Sequence, residues 1–427
     1  MKYTSTRDPS LSFSFSEALA QGLAPEGGLF IPEEFPSLDL SEFSVEQSYA
    51  EFAAKLLKPF LQGDLLQALL PEICQAAFNF PIPLRYRKDD SAVLELFHGP
   101  TAAFKDVGAR FLAECLMRTP SSHLVRTVLV ATSGDTGGAV AGAFFGKPGI
   151  EVYVLFPKGK ISLRQEKQIA CWGGNVRAFA VQGSFDDCQK IVKEALGDSL
   201  WRRKKEFLSA NSISVGRLLP QMVYYAKSSL EYRKARGVVP GVIVPTGNLG
   251  NAVAALWAKR LGFPLGTVIL ATNANRSIGD YFASGVWEPR PTVTTLANAM
   301  DVGNPSNMER LRVLYPRLED LKKDVATASV SDAEISEEIQ RSFRENREIY
   351  CPHTATSLVA QRKMGEGGHW ILVSTAHPAK FETIVEPLIG QSVPVPPALA
   401  ALLQRPSVYE EIPPHFAEFK KFVEEIH

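Results

Sequence analysis

Residues 93–114 read VLELFHGPTAAFKDVGARFLAE, a short apolar run followed by a Gly-Pro turn and a helix-length segment. The same order returns in TVLVATSGDTGGAVAGAFF (127–145), GVIVPTGNLGNAVAALWAKRLG (241–262) and HWILVSTAHPAKFETIVEPL (369–388). Apolar runs rich in Val, Ile and Leu that alternate with helices are typical of parallel strands covered on both faces. The chain is therefore predicted to be an α/β protein.

The turns that follow these four strands mark the expected ligand site, because ligands of open α/β sheets bind beyond the carboxyl ends of the strands. Two turns, TSGDTGG (132–138) and TGNLGN (246–251), can present backbone N–H groups to an anion at a helix N-terminus. The motifs GxxxxGK[ST] and GxGxxG are absent, which argues against a nucleoside triphosphate and a dinucleotide. A small monophosphate fits better, although any α/β protein also uses glycines in packing turns.

The amino-acid composition favours a small molecule as the binding partner of the protein. The chain has 427 residues, 45% hydrophobic and 22% charged, and its 46 basic residues balance 46 acidic ones. A balanced charge disfavours nucleic acid and membrane surfaces, so a small molecule is the expected partner. Five scattered cysteines without a CxxC pair predict reduced thiols, and no metal site is indicated. Because no leader or membrane-spanning run is recognisable, we expect a cytoplasmic protein.

Lys105 is the candidate reactive side chain. It follows HGPTAAF directly, at the point where a strand has ended and a helix starts. Apolar neighbours and the positive end of the helix dipole both disfavour the ammonium form, and Schiff-base chemistry requires a neutral amine. The local sequence FKD alone does not distinguish Lys105 from a solvated surface lysine.

Longer motifs, taken together and in order, give a specific resemblance to the threonine synthases, which are pyridoxal 5'-phosphate (PLP) enzymes of fold-type II. It runs from Tyr3 to about Pro387. The motifs that carry it are YTSTR (3–7), SFSEALAQGLAPEGGLFIP (14–32), LFHGPTAAFKD (96–106), ATSGDTGGAVA (131–141), PTGNLGN (245–251), NAMDVGNPSNMERL (298–311) and STAHPAKF (374–381).

The resemblance implies two doubly wound α/β domains with PLP between them, preceded by a small N-terminal domain. We therefore divide the chain into an N-terminal domain (1–85), a smaller α/β domain with the cofactor lysine and the substrate loop (86–227), a larger α/β domain with the phosphate loop (228–390) and a C-terminal extension (391–427). A monomer or a homodimer is expected.

Carried over residue by residue, the resemblance makes Lys105 the lysine that holds PLP as a Schiff base. Thr375 would face the pyridine nitrogen, and a hydroxyl there suits elimination and replacement better than transamination. The family more often has GNFGN in the loop that binds the cofactor phosphate, but a residue acting through its main chain tolerates this change. In this chain the loop would comprise Gly247, Asn248, Leu249, Gly250 and Asn251.

The substrate implied by the resemblance is O-phospho-L-homoserine. Ser133, Gly134 and Thr136 would bind its carboxylate, while Asp135 would lie beside the cofactor 3'-oxygen, where many relatives have Asn. A carboxylate beside a phenolate-like oxygen is repelled unless one of them is protonated, so Asp135 either holds a shared proton or is simply an N-cap. Candidates for a second phosphate site, chosen as basic or hydroxyl side chains, are Thr101, Lys158, Ser214 and Arg217.

The activity implied is a lyase reaction that converts O-phospho-L-homoserine and water into L-threonine and phosphate. One alternative is another fold-type II lyase, such as a threonine dehydratase or a cysteine synthase relative, against which PEGGLFIP (25–32) and NPSNMERL (304–311) argue. The other is a catalytically silent protein that binds a phosphorylated ligand. His98, next to the cofactor turn, could contact substrate or be satisfied within the protein.

Overall fold

The structure is a computed structural model that describes residues 1–121, 125–365 and 368–425. The strands of these residues are β1 (Tyr3–Ser5), β2 (Phe30–Pro32), β3 (Leu84–Tyr86), β4 (Ala92–Glu95), β5 (Arg126–Ala131), β6 (Ile150–Pro157), β7 (Val176–Val181), β8 (Glu206–Ser209), β9 (Gly241–Pro245), β10 (Val268–Thr272), β11 (Val325–Ser329), β12 (Trp370–Ser374) and β13 (Glu410–Ile412).

The helices of the same residues are α1 (Phe15–Gln21), α2 (Tyr49–Leu57), α3 (Leu70–Ala77), α4 (Lys105–Arg118), α5 (Asp135–Phe144), α6 (Leu163–Ala170), α7 (Phe185–Gly197), α8 (Ser199–Lys204), α9 (Val215–Leu218), α10 (Gln221–Arg236), α11 (Gly250–Arg260), α12 (Ser277–Ser284), α13 (Met308–Leu314), α14 (Leu318–Asp324), α15 (Asp332–Asn346), α16 (Pro352–Lys363), α17 (Glu382–Ile389), α18 (Pro397–Leu403) and α19 (Phe416–Glu425). Short 3-10 turns lie at Leu40–Glu42, Lys58–Leu61, Asn298–Met300 and Pro378–Phe381.

Two sheets form the body of the protein. The larger sheet has the order β11-β10-β9-β12-β4-β3 and is parallel except for the β3–β4 pair. The smaller sheet has the order β13-β7-β6-β5-β8 and is parallel throughout. Together with the separate antiparallel β1–β2 pair near the N-terminus, this arrangement confirms the predicted α/β class with two sheet domains and an N-terminal domain.

The central strands of both sheets are buried because helices cover both faces of each sheet, whereas the edge strands β3 and β13 have exposed positions. β5 (RTVLVA) and β9 (GVIVP) are buried at every position. One cluster of buried apolar side chains extends from Phe52 of α2 through Val128 of β5 to Val242 of β9. The N-terminal domain therefore shares its core with the two sheet domains.

The sheets group the strands differently from the predicted domain bounds at three strands. β3, at the predicted end of the N-terminal domain (1–85), lies in the larger sheet, and β13 of the predicted C-terminal extension (391–427) joins the smaller sheet. The predicted boundary at residue 86 puts β4 in the smaller domain, but β4 pairs with β12, with Leu94 opposite Val373, and lies in the larger sheet. α4, which follows β4, packs on α5 of the smaller domain. Lys105 thus lies where a strand of one sheet leads to a helix that contacts the other domain.

Several helices begin with a serine whose hydroxyl and backbone complete a capping box, among them α1, α2, α6, α7 and α15. Such a cap satisfies the first N–H groups of a helix from within the chain. α4, α5 and α11 have no side-chain cap, and their first residues are all predicted site residues. Within the described ranges, no helix is long and apolar enough to cross a membrane.

Candidate active site

The turn that carries Lys105 is held by the turn after the neighbouring strand. Ala102 adopts a left-handed φ of 55°. The N–H of Phe104 donates to the carbonyl of Thr375 (2.8 Å), and the N–H of His377 donates to the carbonyl of Ala102 (3.0 Å). Because β4 and β12 are adjacent, their two turns lie together, and these bonds fix the start of α4.

The surroundings of Lys105 favour the neutral form of its amine. The residue is partly buried, and desolvation by burial lowers its pKa to about 8. The carboxylate of Asp135 opposes this shift, whereas the cations of Arg217 and Lys380 add to it. An amine with a pKa near 8 is about one-tenth neutral at pH 7, which is ample for a nucleophile or a base.

The predicted phosphate loop presents backbone donors to the site. The N–H groups from Gly247 to Ala252 have no acceptor among the described residues. Leu249 is the N-cap of α11, and its left-handed φ of 61° turns the chain into the helix. A Cβ at Gly247 would lie 2.7 Å from the Cα of Met300, so only glycine fits there. A phosphate at this helix start would satisfy the free N–H groups.

Asn251 adds a side-chain donor to the same helix start. It is buried, and its Oδ1 accepts from the hydroxyls of Tyr224 and Tyr225, the latter at 2.8 Å. This pairing fixes the amide orientation and leaves Nδ2 without an acceptor in the described part of the chain. A buried donor without an acceptor is costly, which favours an anion at this position.

A network of amides supports the loop from the side opposite α11. Asn248 donates from Nδ2 to the hydroxyl of Ser212 (2.5 Å) and accepts at Oδ1 from the N–H of Ser306 (2.5 Å). Asn307 donates from Nδ2 to the carbonyl of Asn248 (3.0 Å). These bonds hold the loop without using its own N–H groups, which stay free for a ligand.

Arg310 connects this network to the N-terminal domain. Its guanidinium is buried and donates to Oδ1 of Asn307 (2.7 Å), to the carbonyl of Phe30 (2.8 and 3.0 Å) and to the carbonyl of Ile213 (2.7 Å). Burial lowers its pKa to about 9, so it remains a cation at neutral pH. The motif NPSNMERL (304–311) therefore serves to brace the phosphate loop, a role that the sequence did not reveal.

The loop before α5 forms a second set of donors. Gly134 has a φ of 133°, and a Cβ there would lie 2.4 Å from Nε2 of Gln165, so this position requires glycine. The backbone N–H groups that have no acceptor among the described residues are those of Ser133, Asp135 and Thr136. This geometry suits a small carboxylate, the ligand that the sequence predicts for this loop.

Asp135 pairs with a lysine that the sequence did not single out. Burial alone raises its pKa, but the ammonium of Lys380, 2.9 Å from Oδ1, and that of Lys105 hold the pKa well below its usual range. Asp135 is therefore a paired carboxylate in this structure, and a proton shared with the cofactor 3'-oxygen stays a prediction. The N-cap alternative is wrong, because Gly134 is the N-cap and α5 has no side-chain cap.

Arg217 of α9 is a buried cation that forms no ion pair with a carboxylate among the described residues. Arg217 donates to the carbonyl of Ala210 (2.6 Å), but its Nε, Oδ1 of Asn211 and the hydroxyl of Ser214 have no partner among the described residues. α9 approaches α4 closely, since a Cβ at Gly108 would lie 2.7 Å from the carbonyl oxygen of Arg217. Burial lowers the pKa of Arg217 to about 10, which leaves it charged.

Two predicted phosphate ligands are engaged elsewhere. The hydroxyl of Thr101 donates to Oδ1 of Asp106 (2.7 Å), which caps the turn before α4. Lys158 is exposed and pairs with Glu411 of β13 at 2.5 Å. The structure therefore brings Arg217 and Ser214 together near α4, but it does not bring Thr101 and Lys158 to them as free donors.

Two histidines lie near the predicted site. His98 pairs with Glu95 (2.8 Å), which agrees with the alternative that it is satisfied within the protein. His353 is buried, and burial lowers its pKa to about 4, so it is neutral. Its Nε2 accepts from the N–H of Ala299 (3.1 Å), which places the proton on Nδ1, a donor without a partner in the described residues.

The donor set fits PLP. Lys105 supplies an amine for an aldehyde, the start of α11 supplies donors for one phosphate, and the buried Thr375 has a hydroxyl without a hydrogen-bond partner among the described residues. In the described ranges, no group of His, Cys, Asp or Glu could hold a metal ion. Two parallel sheet domains with this set of residues between them define a PLP-dependent enzyme of fold-type II.

Comparison with known proteins supports a PLP-dependent enzyme and identifies the family. The family described as "Pyridoxal-phosphate dependent enzyme" matches residues 91–375. "Threonine synthase N terminus" matches residues 2–78, and "Threonine synthase, C-terminal" matches residues 354–423. The chain belongs to the threonine synthase family.

Individual relatives match over nearly the full length. Threonine synthase of Serratia marcescens is 40% identical over 99% of both chains. The crystal structure of threonine synthase from Escherichia coli superposes with a TM-score of 0.92 at 37% identity and covers 100% of both chains. A PLP-bound threonine synthase from Brucella melitensis has a TM-score of 0.90 at 32% identity and covers 100% of this chain and 98% of its own.

Replacing Arg310 by Gln should weaken the phosphate loop. The change leaves the carbonyls of Phe30 and Ile213 buried without donors, which should lower the free energy of unfolding by about 3 kcal/mol. Cofactor affinity should fall by about tenfold, because the loop is less firmly held. Urea unfolding and PLP titration measure the two effects. Arg312→Gln, an exposed change on the same helix, is the control, and equal PLP affinity in both variants would contradict the bracing role.

The rate at which the apoprotein captures PLP should depend on pH. Because Lys105 reacts as the neutral amine, the rate should rise about tenfold per pH unit below pH 8 and level off above it. Stopped-flow absorbance after mixing apoprotein with PLP measures this profile. N-acetyl-lysine methyl ester is the reference amine, and a protein midpoint near the ordinary lysine value of about 10.4 would rule out the lowered pKa.

Proposed function

We propose that this protein catalyses the threonine synthase reaction, the conversion of O-phospho-L-homoserine and water into L-threonine and phosphate. The observation that carries this proposal is that the described residues include two groups of buried donors without acceptors. One is the start of α11, and the other is Nε of the buried Arg217 together with the hydroxyl of Ser214. A PLP enzyme needs one phosphate site for its cofactor, and a second indicates a phosphorylated substrate.

Lys105 is the residue that moves protons in this proposal. When bound, PLP supplies an electron sink for a carbanion at the substrate Cα. The neutral amine of Lys105 removes the proton from Cα and then one from Cβ; one of these protons leaves with the phosphate when the bond between Cγ and the phosphate oxygen breaks, and the other is returned to Cγ. The oxygen of water then adds to Cβ, and the proton that it loses is delivered to Cα by Lys105. Its lowered pKa allows the same group to accept and donate protons near neutral pH.

The two sets of donors would hold the ends of the substrate. The N–H groups of Ser133 and Thr136 would bind the carboxylate. Arg217 and Ser214 would bind the phosphate and stabilise its charge as it leaves. Because both ends are fixed, the three carbons between them stay within reach of a single amine.

The alternative activities fit this arrangement less well. A dehydratase acting on an unphosphorylated hydroxy amino acid has no use for a buried cation that lacks a carboxylate partner. A silent ligand-binding protein has no use for a lysine amine with a lowered pKa. We further propose that the protein acts in the cytoplasm on a free small molecule, without nucleic acid and as a monomer or homodimer.

Lys105→Ala should abolish turnover. Without the amine, no group can move protons at Cα, Cβ and Cγ, so kcat should fall by about 10⁴-fold. The visible absorbance of the lysine-bound cofactor should also disappear. Phosphate release from O-phospho-L-homoserine, coupled to detection of L-threonine, measures the activity. Lys190→Ala, which changes an exposed lysine, is the control, and full activity in Lys105→Ala would contradict the mechanism.

Arg217→Gln should impair use of the phosphorylated substrate while leaving PLP bound. Loss of a buried charged donor should reduce kcat/KM for O-phospho-L-homoserine by about 10- to 100-fold. Lys158→Gln is the matched control, because Lys158 is an exposed residue paired with Glu411 and should keep the parental kcat/KM. The assignment fails if Lys158→Gln, and not Arg217→Gln, shows the loss.

A further inference from the structure

Lys380 is a fully buried lysine near the proposed cofactor site. It has 0% of its surface exposed, and its ammonium contacts Oδ1 of Asp135 (2.9 Å) and the carbonyl oxygen of Thr101 (2.8 Å). Asp135 is also buried, with 4% exposed. Removing both charges from water is unfavourable unless the pair is well formed, so a buried pair at this place needs an explanation beyond stability.

The position of Lys380 is fixed by its backbone. It lies in the 3-10 turn Pro378–Phe381 that follows β12. Thr375 and His377, just before this turn, form backbone hydrogen bonds with the turn that carries Lys105. The carbonyl of Lys380 accepts from the hydroxyl of Ser162, at the start of α6 (2.9 Å). The ammonium of Lys380 thus reaches Asp135 from a turn that is hydrogen-bonded to the turn before Lys105.

Asp135 has two cations within electrostatic reach, Lys380 and Lys105. If Lys380 were absent, Oδ1 of Asp135 would keep its hydrogen bond from Nε2 of Gln165 (3.1 Å), and Lys105 would be the remaining lysine that acts on the carboxylate, which would stabilise the ammonium form of Lys105. That form cannot react with an aldehyde or remove a proton. The charged or titratable groups that act on Lys105 from the surrounding elements are Asp135 of α5, Arg217 of α9, His353 of α16 and Lys380 of the turn after β12.

We propose that Lys380 is a positioning residue that holds Asp135 as a paired carboxylate and so leaves the amine of Lys105 free for the cofactor. This inference rests on the proposed role of Lys105. It explains why a carboxylate is tolerated at the head of α5, beside a site that must accept several negative charges.

The test is the pH profile of PLP capture by the apoprotein, followed by stopped-flow absorbance, in three variants. In Lys380→Met the midpoint should rise by about one pH unit or more, because Asp135 then pairs with Lys105. In Asp135→Asn the midpoint should fall. In the double variant Asp135→Asn/Lys380→Met both effects are removed, and the midpoint should return close to that of the parent protein.

Thermal unfolding of the same apoproteins separates positioning from stability. A purely structural role lowers Tm in Lys380→Met but leaves its midpoint at the parental pH and the midpoint of the double variant at that of Asp135→Asn, and that result would overturn the proposal. Lys363→Met, which removes a partly exposed lysine paired with Glu334, is the control and should keep the midpoint. If Lys380→Met does not fold, the downward shift in Asp135→Asn and its reversal in the double variant decide the question.

Borohydride reduction followed by peptide mapping keeps the two proposals distinguishable. PLP trapped on Lys105 with unchanged midpoints would overturn only the role of Lys380. PLP trapped on Lys380 would overturn that role and the proposed assignment of Lys105 together.

Discussion

The site depends on backbone N–H groups that the folded chain leaves without acceptors. A helix start buried without partners is unfavourable, and serine capping boxes prevent it at helices such as α1 and α2. The starts of α5 and α11 have no such cap, and Gly134 and Leu249 hold the backbone there in left-handed conformations. A ligand with a carboxylate and phosphates would supply acceptors for the free N–H groups at these two helix starts, so binding would satisfy donors that the protein leaves unpaired.

Buried cations hold these helix starts in place, and each does so through contacts remote in sequence. Arg310 bonds to the carbonyl of Phe30, 280 residues away, and braces the loop before α11 through Asn307. Lys380 bonds to the carbonyl of Thr101, 279 residues away, and pairs with Asp135 at the start of α5. The N-terminal domain and the turn after β12 are therefore structural parts of the site, although neither supplies the reactive amine.

The features that sequence reasoning found are local. Lys105 and the loop from Gly247 to Asn251 stand in short strand-turn-helix segments whose motifs are visible in the sequence. The roles of Arg310 and Lys380 follow from contacts between distant segments, which local motifs do not show. Thr101 and Lys158 are predicted as phosphate ligands from their side-chain type, but in the structure they pair with Asp106 and Glu411. β4 was placed in the wrong domain because strand pairing, like side-chain pairing, is not local.

In the proposed reaction, the turn after β4, the start of α11 and Arg217 act on one cofactor-bound substrate around Lys105. A crystal structure of the protein with PLP and a non-hydrolysable phosphonate analogue of the substrate would show this arrangement. We expect one phosphate on the N–H groups of residues 247–252, with the phosphonate against Arg217. A phosphonate bound at Lys158, or a cofactor phosphate away from α11, would contradict this arrangement.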